Sequence, residues 1–158
     1  MADAGLELTI TLEGLENASK HLDPGHLIAP PIKEFFQAAT LIMLNEAMAQ
    51  VPVDLADLQR SHTMSIDPAP LPLWGKVVAN KFYAPYVELG TLPHVVPIWA
   101  IKPWALRHNI NVYALAAKIK KYGTRPNPWM LRTQGIVTPK IQDLWGRVLK
   151  RIQVQWRS

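Results

Sequence analysis

The sequence predicts an α+β chain, and three observations carry that prediction. Residues 6–12 alternate apolar and polar, the period of a half-buried strand. Two short strand-forming runs, 62–66 and 73–79, flank an Asp67-Pro68-Ala69-Pro70 loop and read as a hairpin. Two long stripes at helical spacing, one from Pro30 to Gln50 and one after Thr138-Pro139, bracket most of the chain. A length of 158 residues suits one domain with its own core. The reading is therefore a single domain over 1–158, with a helical excursion inserted at 92–122.

Taken in order, Leu6, Leu8, Ile10 and Leu12 would line one face of the first strand. Leu15 to Leu22 can form a short helix, and Asp23-Pro24-Gly25 turns the chain. Pro30-Pro31 opens the first long helix. Ile32, Phe35, Phe36, Ala39, Ile42, Met43 and Met48 form its stripe, which Leu41 and Leu44 widen towards a helix covered on more than one side. Pro52 ends it, and Asp54 to Ser61 reads as a polar turn or one helical turn, with Asp54 and Asp57 as capping residues. The stretch Tyr83 to Thr91 is a further strand edge or a short helix. Pro97 and Pro103 are each placed to start a helix, with Trp99, Ile101 and Trp104 as apolar contacts. Asn111 is an N-cap for Val112 to Tyr122 and Gly123 its C′ residue. Val112, Leu115, Ala116 and Ile119 would face inward. Trp129, Met130 and Leu131 return to the core, and Thr138-Pro139 starts the last helix. Its buried stripe is Ile141, Leu144, Trp145, Val148 and Ile152, before an alternating extended tail to Trp156.

Composition narrows the function. There is no cysteine, which removes disulfides and thiolate chemistry. The longest apolar run, Ala38 to Leu44 with Thr40 inside it, is far below the ~20 residues of a membrane helix, so a soluble protein is expected. The net charge of +5 conceals a split: residues 1–91 sum to −6 and residues 92–158 to +11. Such a split points to an anionic partner for the second part, or to contact between copies of one subunit; a solvated basic face is the plain alternative.

The motifs of catalysis are missing from the sequence: no phosphate loop, no Gly-rich dinucleotide turn and no paired-histidine zinc pattern. Among scattered groups, His94 or His108 could act as a base, and Asp54, Asp57 and Glu88 are the carboxylates best placed for acid–base work, yet no nucleophile accompanies them. The expectation is a non-enzyme without cofactor or metal. From Lys102 to Arg132 there are seven cations and no acid, interleaved with Trp104, Tyr113, Tyr122 and Trp129. Cations with aromatics can hold phosphates and stack on bases, so a basic DNA-binding protein is a rival reading. Tyr122 and Trp129, beside Gly123 and two prolines, are expected to be the exposed members.

Several short segments carry a resemblance. Tyr83-Ala84-x-Tyr86-Val87-Glu88-x-Gly90-Thr91 follows Val51-Pro52-Val53-Asp54 with Leu58 and Ser61. Later come Val96-Pro97, Trp104, Ala117 with Ile119 and Lys121, Gly123-Thr124, and Pro126-x-Pro128-Trp129-Met130. In this order and spacing they resemble the minor tail and neck proteins of long-tailed bacteriophages, the lambda Z-type tail-completion proteins. The family pattern reads Val-Pro-Val-Asp-Thr-Gly-x-Leu-Arg-x-Ser. Here Leu55-Ala56 stands for Thr-Gly and Gln59 for Arg, which bears on the shape of that turn.

The resemblance implies a small antiparallel sheet packed by a long N-terminal helix and a C-terminal helix. It implies a structural virion protein of the neck or tail end, assembled in the host cytoplasm as a ring, six-fold in the family. Such a ring joins or completes the tail at the head–tail junction, against other neck, connector and tail proteins, with DNA in its channel. A tail terminator is a variant of the same reading. Tyr83, Tyr86, Glu88, Gly90 and Thr91 are then expected to define the fold. Lys118, Lys120, Lys121, Tyr122, Arg125 and Trp129 are expected to make intersubunit or partner contacts.

Overall fold

The computed structural model describes residues 5–13 and 28–157. The expected short helix at 15–22 and the turn at 23–25 lie outside them. The chain divides into two compact units, one formed by 1–84 with 129–158 and one by 85–128.

The larger unit is built on a three-stranded antiparallel sheet: β1 (Leu6–Thr11), β2 (His62–Ile66) and β3 (Trp74–Ala79), with β3 in the centre. Leu8 and Met64 both pair with Val77, and Ile10 and Ile66 both pair with Gly75. The alternation of 6–12 places Leu6, Leu8, Ile10 and Leu12 on the partly buried side, as its period requires. β2 and β3 form the expected hairpin. Asp67 fixes its loop by accepting from the Ala69 and Leu73 amides at 3.1 and 3.0 Å.

Helix α1 (Ala29–Gln50) starts on its proline pair and ends before Pro52. Ile32, Phe35, Phe36, Ala39, Met43 and Ala47 are buried at helical spacing. Leu44 is partly buried and α1 packs on both the sheet and the last helix, as the widened stripe implies, but Leu41 is exposed, which corrects that part of it.

After α1, Val51 to Ala56 leads into a single helical turn, α2 (Asp57–Arg60). Its N-cap residue is Ala56 rather than Asp54 or Asp57. Asp57 sits instead in the first turn. Ala56 is left-handed, at φ 59° and ψ 10°. That conformation costs an L-residue about 1–2 kcal/mol, partly offset by the smaller unfolded-state entropy of alanine relative to glycine. Ala56→Gly is expected to raise stability by about 0.5–1 kcal/mol, measured as an increased denaturation midpoint at unchanged slope.

The last helix corrects its expected start. It runs as α6 from Trp129 to Arg157, with Pro139 inside it. Trp129, Thr133 and Val137 are buried one turn apart, and this packing carries the helix through the proline. Pro139 removes one amide bond, and the Thr138 hydroxyl, expected as a cap, donates back to the Gln134 carbonyl at 2.7 Å. The expected extended tail is likewise helical to Arg157. Leu131, expected in the core, is exposed beside buried Trp129 and Met130.

Helices α1 and α6 lie antiparallel. Glu34 pairs with Arg151 at 2.7 Å and Glu46 with Lys140 at 3.0 Å, so the numbering runs in opposite senses along the contact. These exposed pairs contribute at most about 1 kcal/mol each. The apolar seam dominates: Ile141, Leu144, Trp145, Val148 and Ile152 pack on Ile28, Ile32, Phe35, Phe36 and Ala39. Phe35 meets Phe36 and Trp145 edge-to-face at 5.3 and 4.9 Å.

The smaller unit contains most of α3 (Ala84–Leu89), which starts one residue before it, together with α4 (Ile98–Arg107) and α5 (Val112–Tyr122). It is wider than the 92–122 read from the sequence because its two ends pair with each other. Thr91 and Thr124 form an antiparallel bridge, with amide-to-carbonyl distances of 3.3 and 3.2 Å and hydroxyls 3.0 Å apart. The Asn127 amide adds a bond to the Val87 carbonyl at 2.9 Å.

Candidate functional site

The segment 83–91 becomes the short helix α3 followed by a left-handed glycine, Gly90, at φ 72°. A Cβ at Gly90 would stand 2.8 Å from the Pro126 nitrogen, so the close approach of the two ends of the smaller unit requires glycine there. Gly123, at φ 71° and ψ −157°, lies against the backbone of Thr91 and Leu92. The structure thus brings Gly90-Thr91 and Gly123-Thr124 together, although 33 residues separate Thr91 from Thr124. Glu88 is buried, Tyr86 exposed and Tyr83 half-buried. Burial, with the charge of Asp57 nearby, pushes the Tyr83 phenol above its usual range.

Helices α4 and α5 form a hairpin whose turn chemistry is explicit. The Ile110 amide reaches the Ala105 carbonyl at 2.8 Å, the Asn109 amide reaches Leu106 at 3.2 Å, and Asn109 is left-handed at φ 53°. This is a Schellman ending with asparagine in the glycine position. Asn111 then caps α5, its Oδ1 accepting from the Tyr113 and Ala114 amides at 2.9 and 3.1 Å. Pro97 is the residue before α4, as expected, whereas Pro103 lies inside the helix on its exposed side and forfeits one amide bond.

The inward face of α5 is as read: Val112, Leu115, Ala116 and Ile119 are its covered residues. Of the apolar contacts expected of α4, Ile101 is partly buried, whereas the two indoles are exposed. Trp99 is 78% exposed and Trp104 39%, while Ala105 is the buried residue of that helix. Leu92, Val95, Leu106, Ile110 and Tyr113 are also exposed, with Leu92 at 85%. A unit of this length has too little interior to enclose so many large side chains. Sequence reasoning missed this surface because it assigned Trp99 and Trp104 to the apolar face of a helix without asking whether enough interior existed to receive them.

Lys118, Lys120, Lys121, Tyr122 and Arg125 are all exposed in the smaller unit, and Lys118, Tyr122 and Arg125 line one groove there. The groove holds about 780 Å³ and is lined by Trp104, Leu115, Ile119 and Tyr122, with Lys118 and Arg125 also on its wall. The Lys121 ammonium rests 4.9 Å from the Tyr122 ring centre, and His108 lies against Trp104 at 4.4 Å. No acid occurs in the sequence between Glu88 and Asp143. The surface therefore combines apolar area, aromatic rings and one sign of charge.

Trp129 requires correction. Read both as returning to the core and as an exposed contact residue, it is completely buried in the larger unit, edge-to-face with His62 at 5.0 Å, so the core reading holds and the contact reading does not. The prolines before it end the loop, and the indole opens α6 inside the core. His62 is buried with it: its Nδ1 donates to the Gln59 carbonyl at 3.0 Å, and burial lowers its imidazole below the usual range. Of the other histidines weighed for chemistry, His94 bonds the Leu92 carbonyl within its own loop at 2.8 Å. Among the described residues, no three His, Asp or Glu side chains converge as a metal site, and no helix is long and apolar enough to cross a membrane.

No protein-family model matches this chain, and no curated protein or solved structure is significantly similar to it.

Proposed function

We propose that the chain is a structural virion protein of a bacteriophage neck or tail end, assembling as a ring that joins or completes the tail. The observation that carries this reading is the surface of the 85–128 unit, where exposed Trp99, Leu92, Val95 and Leu106 accompany a basic, aromatic-lined groove. Exposed apolar area with aromatics and cations is the composition of a protein–protein contact. Two details agree with the resemblance. The backbone at Ala56 is left-handed where the pattern has glycine, and the Gly-Thr pairs at 90–91 and 123–124 meet in one bridge.

Particles made without this chain are expected to show filled heads beside free tails of normal length in electron micrographs. Overlong tails would replace the joining role by a terminator role, and intact particles would overturn the reading. The triple reversal Lys118→Glu, Lys120→Glu, Lys121→Glu should stay folded, because these side chains point outward and a reversed charge at a helix end costs only about 0.3–1 kcal/mol. It should sediment as a monomer and fail to complete particles.

A second reading has its own support. Exposed Tyr113 and Tyr122 beside Lys118, Lys120 and Lys121 offer stacking faces and phosphate contacts. It requires duplex binding that weakens steeply with salt.

A further inference from the structure

We propose that the loop from Pro52 to Asp57 of one copy of this chain docks into the α4–α5 groove of the next copy. This rests on the ring reading above and names the contact that would close the ring.

The loop has the composition the groove lacks. Val53 and Leu55 hold their side chains out at 59% and 54% exposure, and Asp54 and Asp57 are exposed beside them. No cation occurs from Gln50 to Gln59. The groove presents apolar Trp104, Leu115, Ile119 and Tyr122 with cationic Lys118 and Arg125. Apolar side chains thus meet apolar walls, and an acidic loop without cations meets a cationic wall. Like charges would oppose loop-to-loop or groove-to-groove pairing, so the charges select a head-to-tail contact.

The loop is also held in shape before it docks. Pro52 fixes one backbone angle, and Ala56 is committed to the left-handed region. The Gln59 side-chain amide anchors the far end by donating to the Met48 carbonyl at 2.8 Å. A preformed loop loses little freedom on binding, which favours affinity. Every copy offers one loop and one groove. A contact of two different surfaces repeats around a rotation axis and closes as a ring when the rotation permits.

The absence of cysteine makes the test clean. Leu55→Cys and Tyr122→Cys are placed in differently tagged full-length copies, mixed at high concentration and treated with a mild oxidant. The expected result is a linked pair of the two tags, dominating over both like pairs. Asp54→Lys with Asp57→Lys should weaken self-association by about tenfold, and Lys118→Asp with Arg125→Asp in the partner copy should recover it. A disulfide closing within one dilute chain that carries both cysteines would overturn the proposal. So would copies that associate without linking 55 to 122; the ring would then stand with another contact. Absence of association, with salt-sensitive duplex binding at the groove, would overturn it in favour of DNA. The joining role itself fails only if particles lacking the chain are intact, a separate observation.

Discussion

Trp129→Ala is expected to cost about 3–5 kcal/mol of unfolding free energy, the range for deleting a fully buried large aromatic side chain. The indole is completely buried and meets the His62 ring edge-to-face, while its backbone carbonyl accepts from the buried Thr133 hydroxyl at 2.9 Å. Truncation therefore leaves a cavity at the point where α6 begins and where the end of β2 meets it. The loss is comparable with the whole stability of a small domain. Urea unfolding followed by far-ultraviolet circular dichroism would measure it. Trp129→Phe keeps an aromatic ring there and should recover a large part of the loss. If Trp129→Ala instead unfolds like the parent and only assembly fails, the residue is a contact residue after all.

Gly123→Ala should be the most damaging change in the smaller unit, at about 3 kcal/mol. Two costs combine. The backbone at φ 71° and ψ −157° lies in a region essentially reserved for glycine, worth about 1–3 kcal/mol against any other residue. A Cβ there would also stand 2.8 Å from the Leu92 carbonyl carbon and closer still to the Thr91 carbonyl. The Thr91–Thr124 bridge must then open, and with it the clamp that holds the two ends of 85–128 together. Hydrogen exchange should show faster exchange in α4 and α5 with the amides of β3 unchanged. Uniform acceleration across the chain would mean that the larger unit depends on the bridge as well.

Much of the fold was legible because its signals are local. Pro30-Pro31 and Pro52 bound α1 within a residue, since a proline's missing amide acts on its own turn. The alternation of 6–12 and the hairpin at 62–79 appear as strands, because a sheet with one buried side imposes a period of two. Asn111 and Gly123 mark the ends of α5 as their capping chemistry dictates. Lys118, Tyr122 and Arg125 of the groove, and Lys120 and Lys121 elsewhere on α5, were legible as exposed, since cations rarely bury and Tyr122 adjoins a breaker.

What failed turned on packing between distant residues. Thr138-Pro139 has the local form of a helix start, yet the helix begins nine residues earlier because Trp129, Thr133 and Val137 bury along one face. A single proline removes one hydrogen bond, and a continuous buried face outweighs it. Trp99, Trp104 and Trp129 are alike as residues in the sequence. Trp99 lies largely in water, Trp104 is partly covered on the wall of the groove, and Trp129 is sealed in the core, because the larger unit has an interior to receive an indole and the smaller one does not. The sequence by itself determined α1, the three strands, the two ends of α5 and the charge split between the two parts of the chain. Only the tertiary structure decided which aromatics are core and which are surface, and that the two Gly-Thr pairs meet. Burial and close backbone approach depend on what lies across the fold, and no local period records that.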